Sequence, residues 1–165
     1  SRRQLALLSL LSIGALVSPI PHARADQSCA ARYLVADGTV TDENTQLVWE
    51  QSPPIAGGGF HSWADASAHC SSLALAGGGF RLPTVLELST IVDDGASLPA
   101  IDTTVFLNAG AGKPPDATDA MFWSGTTFAA DGTGDKRWYL NFGLGNTASD
   151  PATSLHRVRC VRDGP

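Results

Sequence analysis

An α+β fold, with two helices packed on small antiparallel sheets and long irregular loops, is predicted by three features of this 165-residue chain. Short strand-like segments open and close the folded part, two separately capped helical patterns follow the first group, and a long irregular stretch precedes the last. Seventeen glycines and ten prolines without a triplet period exclude collagen and favour a turn-rich chain over a long helical bundle. Hydrophobic residues make up 43% and charged residues 16%, enough apolar material for one packed domain and too little charge for a disordered polyelectrolyte.

Residues 1–25 read as an export signal. Ser1-Arg2-Arg3 is basic, Leu5 to Val17 is apolar, and Ala23-Arg24-Ala25 supplies the small-x-small site, which places cleavage after Ala25. The apolar run is too short to cross a hydrocarbon layer of about 30 Å as a helix, and no second candidate follows. The expected location is secreted or periplasmic. Ser1 to Leu5 also approximates a twin-arginine signal, without the usual downstream Lys. Cys29 follows Asp26-Gln27-Ser28, which is unlike a lipid-attachment site. Residues 26–31 are expected to be an N-terminal extension and residues 32–165 the domain. Cleavage removes Arg2, Arg3 and Arg24 and no acid, leaving eight basic against sixteen acidic side chains. So acidic a surface repels phosphate backbones and anionic lipids, which excludes nucleic acid and membrane surfaces as favoured partners.

Within the domain, Asp37-Gly38 joins two extended segments as a hairpin turn, and Asp42 to Thr45 makes a second turn before a strand at Gln46 to Glu50. Ser62-Trp63-Ala64-Asp65 is a capping box that opens a helix running to about Leu73, with Trp63, Ala66, Cys70 and Leu73 on its apolar face. Thr84-Val85-Leu86-Glu87 is another capping box, starting a helix whose buried stripe is Val85, Leu88, Ile91 and Val92 and which stops at Asp93-Asp94-Gly95. A loop-rich region follows through Asp116. Three strands are then predicted at Met121–Thr127, Arg137–Phe142 and Leu155–Val161, the last beside the N-terminal strands.

Three cysteines in an exported chain imply one disulfide and one leftover thiol. Cys70 on a helix and Cys160 in a late strand, both among apolar neighbours, form the expected pair, with two buried free thiols as the alternative. Cys29 is then free or bridges to another chain. Arg81, between Phe80 and Leu82, is expected to hold loop carbonyls or an acid, and Glu87 to complete its helix cap. Trp49, Trp63 and Trp123 are expected to pack the core. Trp138-Tyr139 beside the long loops is the candidate aromatic platform for a sugar or peptide.

Several segments taken in order resemble the Lcl C-terminal domain family, a bacterial domain of largely unknown function named from a collagen-like adhesin. They are Asp37 to Asp42 with Leu47-Val48-Trp49, Trp63 to Ala66 with Cys70, Phe80-Arg81-Leu82-Pro83-Thr84 with Glu87-Leu88, Phe122-Trp123-Ser124, and Arg157 to Arg162. The resemblance spans about residues 32–162. It implies a C-type-lectin-like fold, distantly related to the formylglycine-generating, sulfatase-modifying superfamily. Such folds commonly bridge a helix cysteine to the final strand, in agreement with Cys70 and Cys160, and display long loops where binding is expected.

The chemistry is that of a noncatalytic module. The paired carboxamide and acid motifs of calcium-dependent lectins are missing, and a nonstandard calcium site could use Asp131 with Asp135, or Asp116 with Asp119. No other cofactor is implied. His61, His69 and His156 share no metal-ligand spacing, His69 and Cys70 point apart on one helix, and no phosphate-cradling motif occurs. The expected ligand-binding set is therefore Trp138, Tyr139, Asn141, Asp131, Asp135 and Asp116, on loops of about 107–119, 128–137 and 143–154. The expected function is recognition of a carbohydrate or protein, with a structural role in envelope assembly as the alternative; the oligomeric state is open.

Overall fold

The computed structural model describes residues 31–55, 59–110, 118–130 and 132–164. The expected signal segment, Cys29, Asp116 and Asp131 lie outside the described residues. Among the described residues the strands are β1 (Tyr33–Ala36), β2 (Thr39–Asp42), β3 (Leu47–Glu50), β4 (Met121–Phe128), β5 (Lys136–Asn141), β6 (Asn146–Pro151) and β7 (Val161–Asp163). The α-helices are α1 (Trp63–Ser72) and α2 (Val85–Thr90), with short 3-10 turns at Leu75–Gly77 and Thr118–Ala120. No helix among the described residues is long and apolar enough to cross a membrane.

One antiparallel sheet has the order β1-β2-β3-β7 and the other β4-β5-β6. The β1–β2 turn places both Asp37 (φ 50°) and Gly38 (φ 77°) in the left-handed region, the requirement of the hairpin turn that Asp-Gly supplies. Leu47 to Trp49 pair with Asp163 to Val161, so the first strands and the last do become neighbours. Both helices start where their caps lie. Thr84 and Glu87 exchange side-chain and backbone hydrogen bonds as a complete box, whereas Ser62 caps the Asp65 N–H and donates its hydroxyl to the Asp65 carboxylate, half of one.

The closing strands differ from expectation. Asn146–Pro151 is a strand, β6, paired along its length with β5, and Leu155 to Cys160 is not a continuous strand. That segment runs between the sheets and makes single bridges, His156 to His61 and Arg157 to Phe122, before Val161 joins the first sheet and bridges Arg81. Its odd positions, Arg157 and Arg159, need polar holders from several elements, which one neighbouring strand could not supply.

Two apolar clusters result. Leu88 of α2 and Ile91, which caps the C-terminus of that helix, pack with Val40, Trp49, Phe106, Phe122, Leu140 and Val161. Ala66 and Cys70 of α1 pack with Phe80, Leu82, Trp123, Val158 and Cys160. Phe122 and Leu140 serve the first cluster while their neighbours Trp123 and Tyr139 serve the second, so the β4-β5-β6 sheet is a partition with apolar packing on both faces. The Cys70–Cys160 disulfide ties α1 to the segment entering β7. In the chain-entropy picture, closing a loop of 90 residues stabilises by about 4–5 kcal/mol.

Candidate functional site

Alternation along β5 sorts the expected aromatic platform onto two faces. Trp138 packs edge-on against Phe128 at 5.0 Å between centroids, and Leu140 on the same side enters the α2 cluster. Arg137 and Tyr139 face the other way, toward α1. The Arg137 guanidinium lies 4.5 Å from the Trp63 ring, and the Trp63 Nε1–H is fixed by the Ser124 carbonyl at 2.8 Å. Trp63 is thus half-buried and packs against the α1 cluster from its rim, whereas Trp49 and Trp123 are fully buried. Opposite Arg137 in the β5–β6 register stands Asp150, and opposite Tyr139 stands Ala148, a small side chain beside a large ring.

His156 forms the floor of this face. It is 3% exposed, with its ring 4.4 Å from Trp123 and 4.6 Å from Tyr139 between centroids. Its backbone pairs with His61 in both directions, at 2.8 and 3.1 Å. Nε2 lies 2.8 Å from Asp150 Oδ2, and Nδ1 is buried with no hydrogen-bond partner among the described residues. A carboxylate only accepts, so Nε2 carries the proton and Nδ1 is bare, the form that leaves no unpaired N–H. Burial depresses the imidazole pKa, against the opposing pull of Asp150. Burial also raises the Tyr139 hydroxyl, with Asp150 adding to it. The aspartate–histidine hydrogen bond holds Asp150 in place at the surface, where 38% of that side chain is exposed.

Of the residues expected to bind ligand, Tyr139 belongs to this face and Trp138 to the opposite one. Asn141 is 4% exposed and its Oδ1 accepts the Gly143 N–H at 2.7 Å, fastening the β5–β6 turn. Asp135 is exposed, and its carbonyl accepts the Ala152 N–H at 2.9 Å. Asp119 accepts a hydrogen bond from Arg157. Arg137 and Asp150 lie within the loop ranges expected to bind, although neither was singled out and Asp150 is on a strand, β6, that reads as loop in the sequence; Trp63 and His156 had not been expected there, since the aromatic on α1 reads as core.

The basic residues are mostly spent on architecture. Arg81 donates to both Glu87 oxygens at 2.8 Å and to Asp163 at 3.1 Å. The Arg81 bonds hold the Glu87 carboxyl below its ordinary pKa, with burial opposing. Arg159, fully buried between Phe106 and Phe122, donates to the carbonyls of Glu50, Gln51 and Leu107 at 2.6 to 2.7 Å. Burial lowers its pKa to about 10, which leaves it charged at neutral pH.

Two other places carry clustered polar groups. A cavity of about 350 Å³ is lined by Arg32, Tyr33, Val92, Asp93, Asp94, Gly95 and Asp102. Arg32 there is already engaged by Asp42 at 2.9 and 3.1 Å, and burial pushes the Tyr33 hydroxyl to about 12. Beneath α1, ligand atoms of Glu50, His69 and Cys160 all lie within 4.8 Å of one another, a grouping that spacing along the chain does not reveal.

No curated protein matches the sequence, and no solved structure does. From residue 38 to residue 162 it matches the model of the Lcl C-terminal domain, and the chain belongs to that family.

Proposed function

We propose that this domain is a secreted or periplasmic noncatalytic module that recognises a carbohydrate or protein ligand on the Trp63–Arg137–Tyr139–Asp150 face. The observation that supports the reading is the company these groups keep: two half-exposed rings, a guanidinium and a partly exposed carboxylate beside one another, over a buried histidine that fixes the carboxylate. Rings stack on the apolar faces of sugars or peptides, and the charged pair accepts and donates to hydroxyls or amides. The acidic balance of the chain disfavours sulfated polyanions, so neutral glycans and proteins are the ligand class. We read the fold as C-type-lectin-like, supported by the disulfide from α1 to the segment entering β7 and by the pairing of β3 with β7, which puts the N-terminal strands and the last strand in one sheet. A glycan array run with calcium and then with chelator tests the reading. Specific signal lost in Tyr139→Ala supports it; a blank array in both buffers, or signal indifferent to that substitution, overturns the glycan form.

A second reading, assembly within the cell envelope, is favoured by β1. Its outer edge pairs with no strand among the described residues, and Leu34 and Val35 on it are 53% and 49% exposed. Mass in solution separates the two: a stable oligomer dispersed by Val35→Lys favours assembly.

A further inference from the structure

The Cys70–Cys160 disulfide lies against two side chains whose ligand chemistry it leaves unused. Glu50 is 2% exposed, and one carboxylate oxygen accepts the Cys160 N–H at 3.2 Å. The other faces His69 Nε2 at 3.7 Å, beyond hydrogen-bond reach. His69 Nε2 is itself buried with no hydrogen-bond partner among the described residues. A buried carboxylate oxygen and a buried imidazole nitrogen therefore converge beside sulfur without satisfying each other, an arrangement that costs free energy unless something binds both.

We propose that reduction of Cys70–Cys160 creates a closed zinc site whose four ligands are the two thiolates, His69 Nε2 and the Glu50 carboxylate. Two sulfurs, one nitrogen and one oxygen make a donor set suited to tetrahedral zinc, with metal–ligand distances of about 2.0–2.3 Å and hence ligands about 3–4 Å apart. Glu50 Oε1 and His69 Nε2 already stand at 3.7 Å, and Cys160 Sγ is within 4.8 Å of a carboxylate oxygen of Glu50 and a ring nitrogen of His69. Cys70 Sγ is not among those converging atoms and joins them by rotation about its Cα–Cβ bond once the sulfurs are no longer bonded. Outer contacts are in place: the Cys160 N–H holds the second Glu50 oxygen, and the His61 ring stacks on His69 at 5.5 Å between centroids. Cys70 and Cys160 are fully buried, as in a structural and not a catalytic zinc site.

The chemistry balances with a phosphine as reductant. The phosphine takes up an oxygen atom from water and becomes the phosphine oxide, and the two hydrogens of that water end on the cysteine sulfurs as the S–S bond breaks. Zinc then displaces both thiol protons to solvent. The metal would replace the covalent tie between α1 and the segment leading into β7, so that the same two elements stay joined in reducing and in oxidising surroundings.

The test uses the full chain carrying Cys29→Ser, reduced with a phosphine, freed of it anaerobically and titrated with cobalt(II) as the probe. One equivalent should bind, with thiolate-to-cobalt absorption and the strong visible bands of a tetrahedral centre, and zinc should displace it. The oxidised protein should show neither. His69→Gln and Glu50→Gln should each weaken cobalt binding more than tenfold. Independently of any variant, zinc should raise the unfolding temperature of the reduced protein and leave that of the oxidised protein unchanged. Reduced protein that takes up no cobalt, or whose binding is untouched by His69→Gln, or whose unfolding temperature ignores zinc, overturns the proposal.

Discussion

The carboxylate of Asp150 and the imidazole of His156 are joined by a 2.8 Å hydrogen bond, and the other nitrogen of that ring is buried with no hydrogen-bond partner among the described residues. Protonating it would place an unpaired N–H among Trp123 and Tyr139.

Stability should therefore depend on pH with a definite sign. Burial lowers the His156 pKa in the folded protein, with Asp150 opposing; burial and the charge of His69 also lower that of His61, with Asp65 and Glu50 opposing. A depressed histidine means that the unfolded chain binds more protons, so its contribution is complete above the ordinary histidine value of about 6.5 and is lost as pH falls below it. Thermal midpoints between pH 7.5 and 5 should fall, and less steeply in His156→Gln. Equal slopes in the two proteins would contradict this.

The Arg159 guanidinium binds three carbonyls from two separate segments. Arg159→Ala should cost about 3–5 kcal/mol in urea unfolding, because it leaves the buried Glu50 carbonyl and two partly buried carbonyls without this donor and opens a cavity where a fully buried side chain stood. Arg159→Lys should recover only part of that, since an ammonium lacks the fork that spans Glu50, Gln51 and Leu107.

Arg81 and Glu87 offer a double-mutant cycle. Their contact is bidentate, but 42% of the Arg81 side chain is exposed, so solvent screening limits the coupling to about 1 kcal/mol. Glu87→Ala should cost more than Arg81→Ala because it also opens the capping box with Thr84. The depressed Glu87 pKa contributes stability above its ordinary value, lost as pH falls through the folded one.

Ligand binding should separate the two faces of β5. Tyr139→Ala and Asp150→Asn should each weaken it at least tenfold, whereas Trp138→Ala should leave it within about twofold, as measured by calorimetry on whichever ligand the array identifies. The reverse order would move the site to the Phe128–Trp138 side.

Local chemistry made much of this legible. The Asp37-Gly38 turn, the Thr84 box and the Cys70–Cys160 pair each follow from residues that do one thing well. β6 was hidden because Asn146 to Pro151 contains no large apolar residue, and it is a strand by virtue of its β5 neighbours. The site was half legible: alternation alone separates Trp138 from Tyr139. Nothing along the chain joins His156 to Asp150 and Trp123, or Glu50 to His69, since those meetings depend on how the two sheets stack.

The register of the first sheet has a practical corollary. Tyr33 stands opposite Asp42, Asp42 opposite Leu47, and Leu47 opposite Asp163, so the chain enters and leaves the sheet in a single row. Three strand spacings of about 4.8 Å put those two points roughly 14 Å apart. A unit with adjoining entrance and exit can be spliced into a surface loop of a host protein, or strung in series with others, without prying its carrier open.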